Sequence, residues 1–186
     1  MRRVGAKLGL CGLLLAVALA APAAMAQSTT TATSAAAPAN AQTQPMPIYN
    51  NTLAPGWDNW SWAQVTLSFT IGDPSETPIK VETPAGWQAL YLHHAPFGTA
   101  GYSMLSFFIH GGAHGGQTLS VIAVDAQGHP FGDHFFRVTP TAQAWTEVDV
   151  PLSELGAQNQ TVSGFWIQDG TAQPTTRYYV NQIVLR

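Results

Sequence analysis

From Ile48 onward the chain is a succession of short runs in which apolar and polar positions alternate. Gln64–Ile71 sets Val65, Leu67, Phe69 and Ile71 against Thr66, Ser68 and Thr70, the two-residue period of a half-buried strand. Further strands are expected at Ile79–Glu82, Gly86–His94, Leu105–His110, Thr118–Asp125, Phe135–Val138, Ala144–Val150, Val162–Gln168 and Tyr178–Leu185. Turn signals separate them, among them Pro55-Gly56, Gly72-Asp73-Pro74-Ser75 and Gln127-Gly128. Leu152–Leu155, closed by Gly156, reads as a single helical turn. About eight or nine short strands and no amphipathic helix predict an all-β fold, an antiparallel β-sandwich of jelly-roll type.

The pattern centres on Leu105–Asp125, two β-rich runs joined by the glycine-studded Gly111–Gln117. It reads as a β-hairpin, glycine supplying the positive φ of its turn. Leu105, Phe107 and Ile109 point one way and Phe108 and His110 the other. Nearer the start, Trp57, Trp60 and Trp62 are closely spaced, and one or two of them are expected to plug the end of the core.

The N-terminus is of another kind. Arg2, Arg3 and Lys7 precede the apolar Leu8–Ala20, and Ala24-Met25-Ala26 forms a small-residue cleavage site before Gln27. This predicts a secretory signal peptide over residues 1–26 and a secreted or periplasmic product. Residues 27–47, rich in Ser, Thr, Ala, Gln and Pro, read as a disordered spacer. The β-sandwich domain then occupies 48–186. The single cysteine, Cys11, lies in the leader, so the exported domain is expected to do without disulfides.

Of the seven Lys and Arg residues, three lie in the leader, leaving Lys80, Arg137, Arg177 and Arg186 against all ten acidic groups. A mildly acidic surface without a basic patch argues against nucleic acid as a partner. No second long apolar run follows the leader, so no membrane association is expected after its cleavage. A monomer is expected.

Several segments taken together resemble secreted carbohydrate-binding modules of the galactose-binding-domain-like jelly roll. They are the opening Tyr49-Asn50-Asn51 with Gly56-Trp57, the strand Ser106–His110 followed by Gly-Gly, Trp145 with Val148 and Val150-Pro151-Leu152, and the closing Tyr178–Leu185. The last is similar to the family's Tyr-x-Asp-x-Ile-x-Leu final strand. The resemblance implies a glycan or polysaccharide as partner. It also implies a structural calcium near the chain ends, for which the matching residues here are Asn50, Asn51 and Asn181. Calcium prefers charged oxygen ligands, so a tight site is not expected. Asn181 is expected instead to hydrogen-bond the opening segment.

Taking Leu90/Leu92, Phe107/Ile109 and Phe165/Ile167 as the core set places Tyr91/His93, Phe108/His110 and Trp166/Gln168 on the opposite side. Flat rings stack on the apolar face of a pyranose, while imidazole and carboxamide groups hydrogen-bond its hydroxyls. Tyr91, His93, Phe108, His110, Trp166 and Gln168, with Asp169 at the strand end, are therefore the candidate ligand-binding residues. No catalytic residue is assigned. The histidines lack zinc-site spacing, and no P-loop or nucleophile elbow occurs. Two alternatives remain: a jelly-roll lyase or hydrolase, for instance with His110 and Tyr91 as base and acid, and a structural or adhesion module that binds protein.

Overall fold

The structure, a computed structural model, describes residues 43–186. The expected leader and most of the expected spacer lie outside these residues. Eleven strands form: β1 Met46–Tyr49, β2 Trp57–Asn59, β3 Gln64–Thr66, β4 Ile79–Thr83, β5 Ala89–Gly98, β6 Met104–His110, β7 Leu119–Asp125, β8 Phe136–Val138, β9 Trp145–Pro151, β10 Thr161–Asp169 and β11 Thr175–Leu185. All pairings are antiparallel. A six-stranded sheet has the order β3-β4-β11-β6-β9, with β1 also on β11; a five-stranded sheet has the order β2-β5-β10-β7-β8. The fold is an all-β jelly-roll sandwich. No helix of the described residues is long and apolar enough to cross a membrane.

Alternation builds the core. Leu90, Leu92, Phe107, Ile109, Phe165 and Ile167 are all buried and join one cluster with Ile48, Val81, Leu119, Val121, Tyr178 and Val180. Each strand therefore contributes one of its two faces to the space between the sheets, and the other face turns outward.

Several local expectations change. Leu105–Asp125 is not a hairpin. β6 has both edges taken by β11 and β9, and β7 by β10 and β8, so Gly111–Gln117 carries the chain from one sheet to the other. Backbone packs directly on backbone there: a Cβ on Gly111 would meet the Thr141 carbonyl oxygen at 2.6 Å. The Gln117 side chain, 3% exposed, ties the crossing down by donating from Nε2 to the Gly111 and Arg177 carbonyls.

The strand expected through Ile71 ends at Thr66, because Ser68 takes a left-handed φ of 53° and its N–H donates to the Tyr49 hydroxyl. Residues 152–156 form consecutive turns rather than a helical one, with Gly156 at φ 65°. Trp57, not Trp60 or Trp62, enters the core. β1 opens at Met46, paired with Leu185, two residues inside the segment expected as spacer.

Asn181 does bond the opening segment. Its Oδ1 accepts from the Asn51 and Gln182 N–H groups, and its Nδ2 donates to Asn51 Oδ1, which also accepts from the Thr77 N–H. Both carboxamide oxygens thus already accept two hydrogen bonds each. They do not fit a calcium site, which needs lone pairs directed at the ion. The pair also pins a β-bulge. Between Asn181 and Val184, β11 has one residue more than β6, and the extra Gln182 sits at φ 53°. The bulge resets the alternation so that Ile183 and Leu185 face the core.

Asn181→Ala removes the acceptor of the part-buried Asn51 and Gln182 N–H groups and is expected to cost about 1 kcal/mol, read as a melting temperature lower by roughly 2–4 °C per kcal/mol. A chelator should leave the melting temperature of the unaltered protein unchanged. A fall on chelation would show that a cation holds the chain ends.

Candidate functional site: two outer faces

The six strand residues expected on one surface are divided between two. Tyr91, His93, Trp166 and Gln168 belong to β5 and β10 in the five-stranded sheet, whereas Phe108 and His110 belong to β6 in the six-stranded sheet. Both sets turn away from the core, but on opposite sides of the sandwich. The cause is the crossing at Gly111–Gln117 and its counterparts, which alternation within a strand cannot reveal. His110 and Tyr91 are consequently not an acid–base pair.

On the outer face of the six-stranded sheet, strand register assembles three rows. Tyr179, His110 and Trp145 are successive partners across β11, β6 and β9; next come Asn181, Phe108 and Glu147; then Val184, Ser106 and Asp149. Lys80 on β4 extends the first row beside Tyr179. The rings interlock. His110 lies 5.3 Å from Trp145 and 5.7 Å from Tyr179 by ring centroids, and Phe69 stacks on Tyr179 at 5.9 Å.

Four concavities follow one another along β6 and β11. The first, about 500 Å³, lies over Ser106, Phe108 and Val184 between Glu147, Arg186 and Pro47. The next, about 180 Å³, shares Phe108 and Gln182 with it and reaches Trp145. One of about 250 Å³ lies over His110, Tyr179 and Gln143, and one of about 620 Å³ continues past Tyr179 to Glu82, Arg177 and His114. Together they trace an open groove along the strands, floored by rings and bordered by charge.

The bordering charges are mutually paired, except Glu76, which lines the concavity beside Trp145. Arg186 meets Asp149 at 2.6 Å and Glu147 at 3.3 Å; Glu82 meets Lys80 at 2.9 Å and Arg177 at 3.3 Å. The Ser106 hydroxyl, helped by Arg186, holds the Asp149 carboxyl below the usual carboxylate range, and Lys80 does the same for Glu82. Three of the four cations outside the expected leader lie on this face, each matched by a carboxylate, so the groove presents polarity without a large net charge. Among the described residues no cluster of three or more His, Cys, Asp or Glu could hold a metal ion.

His110 has a defined proton position. The Gly112 N–H donates to its Nδ1 at 3.0 Å, so Nδ1 accepts and the proton of the neutral ring sits at Nε2. Burial against Trp145 and Tyr179 lowers its pKa from 6.5.

The outer face of the five-stranded sheet is packed differently. Trp60 lies flat on His93 at 3.6 Å with planes 5° apart, and Trp62 meets Trp166 edge-on at 5.0 Å. Tyr91, 7% exposed, sits among Trp60, Trp62, His93 and Trp166. Gln168 Nε2 and Trp62 Nε1 both donate to the Trp87 carbonyl. Asp169 departs from expectation. It is fully buried, and its Oδ1 accepts from the Thr171 N–H and hydroxyl, closing the turn after β10. Beneath it, burial and the Asp169 charge push the Tyr178 phenol well above its usual pKa.

The sequence reading missed Trp145, Tyr179, Glu147, Asp149 and Arg186. The first four were within reach, since alternation over β9 sets Trp145, Glu147 and Asp149 against Val148 and Val150, and over β11 it sets Tyr179 against Tyr178 and Val180.

Among solved structures the fold is similar to a family 29 carbohydrate-binding module from Piromyces equi, with TM-score 0.54 and 15% identity over 76% of this chain and 88% of that one. It is similar also to a family 30 carbohydrate-binding module, with TM-score 0.51 and 15% identity over 77% and 99% of the two chains. The adhesin domain of Lys-gingipain from Porphyromonas gingivalis aligns with TM-score 0.53 and 11% identity over 77% and 98%. At these identities the likeness is one of fold, the antiparallel β-sandwich. No protein-family model and no curated protein matches the sequence.

Because the His110 pKa lies below the unfolded-chain value of 6.5, protonation favours the unfolded chain. Its stabilising contribution is intact above pH 6.5 and is lost as pH falls through the folded value. Proton NMR of the ring is expected to give a titration midpoint below 6.5; a midpoint above it would contradict the half-buried neutral ring.

Proposed function

We propose that the protein is an exported, non-catalytic glycan-binding module, and that the groove over Phe108, His110, Trp145 and Tyr179 receives its ligand. Export rests on the leader sequence. Glycan binding rests chiefly on one observation: an open groove whose floor is aromatic and whose borders are charge-paired. Rings supply apolar faces for the C–H surface of a pyranose, and the fixed Nε2–H of His110 supplies a directional donor for a hydroxyl. Balanced charge at the borders favours a neutral glycan over an anionic one. A groove open along its length suits an internal stretch of a polysaccharide better than a chain end. The shared fold with modules named for carbohydrate binding agrees with this reading.

The test is affinity electrophoresis through gels containing neutral polysaccharides, with Phe108→Ala and Trp145→Ala. Each truncation is expected to remove about 1.4 kcal/mol of stacking and so weaken binding roughly tenfold, with no release of reducing ends or unsaturated products. Retardation unaffected by either substitution would remove the groove from the account, and product release would replace it with an enzyme.

A further inference from the structure

The exposed large apolar side chains among the described residues are Trp60, Trp62, Trp87 and Phe135, at 57%, 41%, 55% and 44% exposure. None is aliphatic, and none belongs to the groove. Trp60 and Trp62 follow β2 and lie against outward residues of β5 and β10; Trp87 lies two residues before β5; Phe135 immediately precedes β8. All four belong to the five-stranded layer.

The Trp60 and Trp62 indoles and the Trp87 backbone are held. His93 supports one face of Trp60, the Trp87 carbonyl ties the Trp62 N–H, and Trp87 itself takes a left-handed φ of 62°, stabilised by its N–H donating to the Thr171 carbonyl at 3.0 Å. A non-glycine residue kept in that conformation carries strain that the surrounding structure has to offset. Ring exposure on this scale costs solubility, and a fixed array of exposed indoles marks a contact surface.

The chemistry of the surface selects the occupant. The charged side chains on this face are Asp58, opposite His93 on β2, and Arg137 on β8, one of each sign at opposite edges of the sheet. Without a basic cluster it does not suit an anionic membrane or an acidic polymer. Its exposed large apolar side chains are all aromatic, and Ile122, the cross-strand neighbour of Trp166, is half-buried, so the surface lacks the exposed mixed apolar core of a protein interface. The Trp62 N–H is already engaged, so that ring offers only its face and free edge. A rigid, uncharged display of ring faces fits the C–H face of a neutral sugar chain.

We propose that the Trp60–Trp62–Trp87 platform is a second, independent glycan-binding surface, so that one molecule bridges two polysaccharide chains, one in the groove and one on the opposite face. The inference rests on the groove reading for its first site and stands on the platform for its second. A binder with two opposed sites links chains when chains are in excess and stops linking them when protein saturates both.

The experiment titrates the protein into dilute hydroxyethylcellulose, galactomannan and xyloglucan and follows light scattering, in parallel with gel retardation in the same polymers. The unaltered protein is expected to give a scattering maximum at an intermediate ratio that falls in protein excess. Trp60→Ser with Trp87→Asn is expected to abolish the maximum while retaining retardation. Asparagine tolerates the left-handed backbone at position 87 and leaves the carbonyl that holds Trp62 in place. A melting temperature equal to that of the unaltered protein identifies the loss as one of binding.

Bridging that survives this double substitution would overturn the proposal. So would retardation without any scattering maximum. So would protein self-association that the double substitution removes, which would make the platform a protein interface. Failure of the groove reading has a different signature: Phe108→Ala with Trp145→Ala leaves retardation intact and the tryptophan variant loses it.

Discussion

The structure depends on how β11 is held. It lies inside the six-stranded sheet, with β6 along one edge and β4 and then β1 along the other. Its extra residue relative to β6, at Gln182, decides which of the side chains that follow face inward. Before the bulge Tyr178 and Val180 enter the core and Tyr179 faces out; after it Ile183 and Leu185 enter the core. Without the bulge the second half of the strand would present the opposite set, since a one-residue slip exchanges the two faces of a strand. The reciprocal Asn51–Asn181 amide pair fixes this point and ties the opening segment to the closing strand. Hydrogen bonds within the chain thus tie its opening and closing segments together, as expected of Asn181.

From this follows the groove. With Tyr179 outward beside His110 and Trp145, and Asn181 beside Phe108 and Glu147, rings occupy the middle of the sheet and paired charges its borders. Arg186, the last residue described, folds its guanidinium over the Asp149 and Glu147 carboxylates. The same strand exchange that brings these residues together separates them from Tyr91, His93 and Trp166. The sandwich therefore carries two aromatic faces of different character. One is concave and bordered by charge; the other is a display of supported indoles with hardly any charge.

Fold class and core were legible because alternation is a local property: Leu90, Leu92, Phe107, Ile109, Phe165 and Ile167 declare their side through their neighbours alone. The site was legible only in part. Phe108 and His110, like Tyr91 and Trp166, do face outward, but whether two outward residues share a face depends on which strands pair. That is set by long-range connections such as the Gly111–Gln117 crossing, whose glycines read equally well as a hairpin turn. Asp169 misled because its strand-end position said nothing of the Thr171 hydroxyl and N–H that close over it. The fates of the three early tryptophans turned on backbone direction after β2, which places Trp57 in the core and leaves Trp60 and Trp62 outside.

The most direct test of the central claim, that the groove on the six-stranded sheet is the ligand site, is NMR mapping of a neutral oligosaccharide derived from a polysaccharide that retards the protein. The account predicts that the Trp145 indole N–H, the His110 ring and the amides of Phe108, Tyr179 and Gln182 shift with ligand and saturate together. Shifts confined to residues outside that groove, or no saturable shift at all, would contradict it.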